Sequence, residues 1–79
     1  MSSVKVLVRE LDKHNRLVQN HELQLPVKPD KNDKLVFDVD GIGFEFRIAD
    51  IHVAPSGIDI YAYRGRTVTE LEGSIIRRN

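Results

Sequence analysis

The sequence predicts an all-β domain, a small five- to six-stranded antiparallel barrel or compact sandwich, and three observations carry that reading. Apolar residues recur with a period of two at Leu35, Phe37 and Val39, then at Ile42, Phe44, Phe46 and Ile48, and again at Ile58 and Ile60. Lys34, Asp38, Asp40, Glu45, Arg47 and Asp59 fall between them, the alternation of half-buried strands. The Asp40-Gly41 pair between the first two runs marks a tight hairpin, because both residue types tolerate the positive φ such turns need.

Taken in order, a first strand is expected over Val4 to Leu11, with Val4, Val6 and Val8 on one face. Leu7 on the other face implies some cover there as well. Asp12-Lys13-His14-Asn15 is a turn of residues that satisfy their own backbone. A second strand follows from Arg16 to Leu25; Gln19 and His21 interrupt its apolar phase and place it at an edge or a rim. Pro26 to Asp33 is the longest loop, its two prolines excluding a central strand. Two further strands run from Lys34 to Asp40 and from Ile42 to Val53. In the latter the apolar phase slips from Ile48 to Ile51, which one extra residue near Ala49-Asp50 would produce, as in a β-bulge. Pro55-Ser56-Gly57 turns the chain into a fifth strand, Ile58 to Tyr63, and Arg64-Gly65-Arg66 reads as another turn. Thr67 to Leu71 is expected as a sixth strand; its rival is a helical turn, since Thr69 and Glu72 fit a capping box and Val68, Leu71 and Ile75 have helical spacing.

A long bent strand flanked by tight hairpins resembles the SH3-like barrel, and Asn32-Asp33-Lys34-Leu35-Val36-Phe37 is similar to the turn that enters a barrel strand there. The resemblance is one of layout and implies no functional residues.

At 79 residues the chain is expected to form one domain over 1–79. A domain this small buries only about 60% of the surface exposed by its unfolded chain. It has no cysteine, so neither a disulfide nor a cysteine-held zinc supports it. The amino-terminal residues lack the apolar stretch of a secretory signal, and no apolar run approaches the roughly 18 residues of a membrane span. A cytoplasmic location, with no membrane association, is the expectation.

Twelve basic residues balance twelve acidic ones. That cancellation argues against a dedicated polyanion binder. The acids are concentrated in the middle, while Arg64, Arg66, Arg77 and Arg78 make the end basic.

Residues with metal-binding or catalytic chemistry have simpler explanations. Asp12/His14 and Asp50/His52 each place a carboxylate near an imidazole, which zinc or nickel would accept, but the first pair belongs to a turn and the second to a solvated face. Asp38-x-Asp40-Gly41 resembles the start of a calcium loop without its remaining ligands. No serine sits in a nucleophile elbow and there is no thiol. No metal, cofactor or enzymatic activity is expected.

The most suggestive surface is the fifth strand and the turn after it: Tyr61, Tyr63, Arg64 and Arg66. Tyrosine and arginine are the residues of protein-binding hot spots, and the same set stacks bases and neutralises phosphates in single-strand binders. The neutral balance favours protein. The expectation is a non-enzymatic binding module acting through protein–protein contact, of the kind found among accessory or inhibitory proteins of phages and mobile elements. The alternatives are a small RNA- or single-stranded-DNA-binding barrel, and a homo-oligomer built by pairing strand edges.

Overall fold

The computed structural model describes residues 3–68 and 75–77, the last three by their backbone alone. The strands are β1 (Val4–Leu11), β2 (Leu17–Leu25), β3 (Lys34–Val39), β4 (Ile42–Ala54), β5 (Gly57–Val68) and β6 (Ile75–Arg77). Three hairpin-type connections follow from local chemistry. Asp12 Oδ1 accepts the amide N–H of His14 at 2.8 Å and of Arg16 at 3.0 Å, shaping the β1–β2 turn, and Asn15 takes the left-handed conformation at φ 62°. Asp40 and Gly41 have φ of 55° and 81°, the two positive angles of a type I′ turn between β3 and β4. Pro55 and Ser56 join β4 to β5, with Ala54 facing Gly57 across the hairpin.

All six strands belong to one mixed sheet in the order β2-β1-β5-β4-β3-β6. This corrects the expectation of an all-antiparallel arrangement: β1 and β5 run parallel, Val6 opposite Ile58 through Leu11 opposite Tyr63. The β1–β2 hairpin and the β3–β4–β5 meander thus join through strands distant in sequence, and no turn motif signals such a pairing. Nor is the sheet a closed barrel or a sandwich of two sheets. β2 and β6 are its edges, and among the described residues no ladder joins them.

The sheet instead rolls over its concave face, within extents of 31 × 30 × 25 Å. Val6, Val8, Leu25, Leu35, Phe37, Phe46, Ile48, Ile60 and Ala62 are buried there, and Phe44, Ile51 and Ile58 pack against them in part. Across the opening, His21 of β2 lies edge-on to Phe37 and Phe46, with ring centroids 5.2 and 5.7 Å apart. Side-chain packing therefore bridges the seam that hydrogen bonds leave open. The edge position of β2 agrees with its broken apolar phase.

Bulges give the sheet its curvature, because an extra residue bends a strand and adds twist. One lies at Ala49, where the register moves from Ile48/Ala62 to Asp50/Tyr61, as the slipped apolar phase indicates. A second opposes Gly65 and Arg66 to Glu45, between the pairs Phe46/Arg64 and Phe44/Thr67. The expected turn at Arg64-Gly65-Arg66 is therefore an irregularity inside a strand that continues to Val68. Thr67 and Val68 finish that strand; the rest of the expected sixth element, strand or helical turn, lies at residues 69–74, outside the described residues. Among the described residues no helix is long and apolar enough to cross a membrane.

Candidate functional site

Alternation along β5 assigns its side chains to two faces. Ile58, Ile60 and Ala62 share the concave core, while Asp59, Tyr61 and Tyr63 lie on the convex side. Register then supplies their neighbours. Arg9 of β1 is opposite Tyr61, and Arg47 of β4 is opposite Tyr63. Arg9 pairs with Asp59 at 3.4 Å. The Arg47 guanidinium lies over the Tyr63 ring, 5.3 Å from its centroid, and the Tyr63 hydroxyl donates to Asn15 Oδ1. Tyr61 meets the edge of His52 at 5.2 Å.

The four residues singled out in the sequence do not lie on one face of the sheet. Tyr61 and Tyr63 share the convex face as expected. Arg64 does not join them: it follows Ala62 in strand alternation and turns to the concave side. There its guanidinium lies 4.5 Å from the Phe44 ring centroid and donates to Glu10 Oε1 at 2.8 Å. Arg66, within the bulge, reaches Glu45 at 3.7 Å, a carboxylate shared with Lys34 at 3.9 Å. The arginines that flank the tyrosines are Arg9 and Arg47. Arg47 was within reach of the sequence, by counting back from the Pro55-Ser56 hairpin through the bulge at Ala49. Arg9 was not, because its place depends on the parallel pairing.

Glu10 is 5% exposed and is the polar centre of the concave face. Its Oε1 accepts from Arg64 and lies 3.0 Å from His21 Nε2. Burial works to raise its pKa, but the hydrogen bonds and charges of Arg64 and His21 outweigh burial and hold the carboxyl below its ordinary value. Beside this group a cleft of about 660 Å³ opens between the β1–β2 turn and the middle of β4 and β5; Glu10, Asp12, Lys13, Arg47, Tyr63 and Arg64 are among its walls. Hydrogen bonds from the Arg16 and His14 amides, with the Arg16 side chain, keep the Asp12 carboxyl below its ordinary value too.

The two histidine–carboxylate pairs considered as metal ligands resolve differently. His14 meets Asp12 through its backbone N–H, as part of the turn. His52 Nε2 and Asp50 Oδ2 are 2.9 Å apart on an exposed face, and this hydrogen bond, with that of the Ile51 amide, lowers the Asp50 pKa. Among the described residues no three metal-ligating side chains converge. No family model matches the chain, and no curated protein or solved structure matches it either.

Proposed function

We propose that this protein is a non-enzymatic binding module that contacts another protein through the convex face of β5, β1 and β4. The observation that carries the reading is the placement of Tyr61 and Tyr63 side by side, each directly across a strand from an arginine, Arg9 and Arg47. Aromatic anchors beside arginines are the composition of hot spots, where rigid rings add contact area at little entropic cost. The surrounding charges favour a protein over a nucleic acid. Asp59 and Asp50 share this face with Arg9 and Arg47, so carboxylates are interspersed among the arginines, and a phosphate backbone laid along it would meet both of them.

A binding role also suits the polar groups of the cleft. Arg64 and His21 hold Glu10, and Arg16 and backbone amides hold Asp12, which leaves neither carboxylate poised as a general base. In this reading the sheet has the shape of an SH3-like barrel left unclosed, with His21 against Phe37 filling the seam. A cytoplasmic accessory or inhibitory role is part of the same proposal.

The test is affinity capture from the native host with nuclease present, followed by binding measurements with the purified partner. Tyr61→Ala should weaken the contact by about 2 kcal/mol or more, the scale of a hot-spot residue, while the protein melts as the wild type does. Loss of every partner on nuclease treatment, with affinity falling log-linearly with salt, would instead assign the face to nucleic acid.

A further inference from the structure

The cleft beside Glu10 holds a charge surplus that its own residues do not cancel. Its two carboxylates are already engaged, Glu10 by Arg64 at 2.8 Å and His21 at 3.0 Å, and Asp12 by Arg16 at 3.3 Å and two amides. Lys13 on the β1–β2 turn and Arg47 on β4 also line the cleft, and among the described residues neither has an ion-pair partner. A further donor lines the cleft: Asn15 spends its carbonyl oxygen on the Tyr63 hydroxyl, which leaves the amide nitrogen to donate. Tyr63, pinned by Asn15 and covered by Arg47, supplies a fixed wall of the same cleft.

Resting on the proposed protein contact, we infer that this cleft receives an acidic side chain of the partner, its carboxylate held by Lys13, Arg47 and the Asn15 amide. A carboxylate accepts several hydrogen bonds at once and is bound most strongly by cationic donors. The about 660 Å³ of space admits the side chain together with adjoining peptide. The surplus is local: beyond the cleft the convex face carries Asp50 and Asp59, which oppose an extended polyanion and leave a single acidic residue unhindered.

The experiment is an NMR titration of the full chain with an end-blocked hexaglutamate peptide, with hexaglutamine and a thymidylate oligomer as comparators. Saturable shifts are expected at Lys13, Asn15, Tyr63 and the Arg47 Nε–H with hexaglutamate and not with hexaglutamine. Lys13→Gln combined with Arg47→Gln should weaken that binding at least about tenfold, since it removes both charge-assisted contacts; both side chains are exposed, so the fold is retained. Arg47→Lys, which keeps the charge, should keep most of the affinity. The inference is overturned by an absence of saturation below about 10 mM hexaglutamate, weaker than any useful contact, by unchanged binding in the double variant, or by tighter binding of the thymidylate oligomer at the same residues. Tyr61 is not a wall of the cleft, which separates the two ideas. Partner affinity lost in Tyr61→Ala but kept in Lys13→Gln overturns the cleft and leaves the contact face standing; affinity kept in Tyr61→Ala but lost in Lys13→Gln overturns the face and keeps the cleft, because Lys13, unlike Arg47, is not part of that face.

Discussion

Glu10 and Arg64, 54 residues apart in the chain, meet on the concave face at 2.8 Å, and Glu10 Oε1 also holds His21 of the edge strand. One carboxylate thereby ties together the neighbouring strands β2, β1 and β5 on the concave face. Glu10→Ala would leave the Arg64 guanidinium and the His21 ring without their shared partner, and Arg64 already has a buried Nε with no partner. The expected loss is about 1–3 kcal/mol, the cost of stranding a buried donor. Urea denaturation measures it; an unchanged midpoint would mean that water replaces the carboxylate freely.

The same group predicts a pH dependence. Its folded pKa is depressed, so its contribution to stability is complete above the unfolded value, about 4.3 for glutamate, and is lost as pH falls through the lower folded value. The stability of the wild type should therefore decline on acidification through this range. Glu10→Gln, which does not titrate, should be less stable near neutrality, and the gap should narrow as the pH falls. A gap that stays constant from neutral to acid pH would show that the Glu10 charge contributes nothing.

Phe46→Ala should cost about 3–5 kcal/mol, the usual loss for a buried phenylalanine. The ring is fully buried, stacks on Phe37 at 4.2 Å, meets His21 edge-on and lies beneath Arg64. In so small a domain that loss removes most of the stability. A thermal melt like the wild type's would contradict this packing.

Gly65→Ala should be destabilising although the residue is on the surface. A Cβ there would lie 2.8 Å from the Glu45 carbonyl oxygen, a backbone atom that cannot rotate away. Shifting the bulge to relieve the overlap should cost about 1–3 kcal/mol, as overpacking does. A Tm equal to the wild type's would mean that the bulge yields freely.

What the sequence made legible was local. The Asp40-Gly41 hairpin and the bulge at Ala49 each leave a mark within a few residues, in turn chemistry or in a slipped apolar phase. The concave positions of Val6, Phe46 and Ile60 follow from alternation alone. Arg64 was misplaced because Gly65 was read as the centre of a turn. A glycine in a strand also permits a bulge, and the carbonyl of Glu45 passes too close for any side chain there. The pairing of Arg9 with Tyr61 had no local mark at all. It is set when two strands from opposite ends of the chain meet, and alternation is silent about which strands become neighbours.

The parallel β1–β5 pairing also dictates an order of assembly. The β1–β2 hairpin can close as soon as its own residues are made, yet one edge of β1 stays bare until the chain has been extended through β5. Pairings of such long sequence separation carry a large loop-closure cost and slow folding. During synthesis β1 therefore waits, with unpaired backbone groups and the apolar side chains of Val6 and Val8 accessible, for a strand fifty residues downstream. Substitutions that weaken the meeting of β1 with β5 should appear first as slower refolding and more aggregation, before any change in the shape of the finished protein.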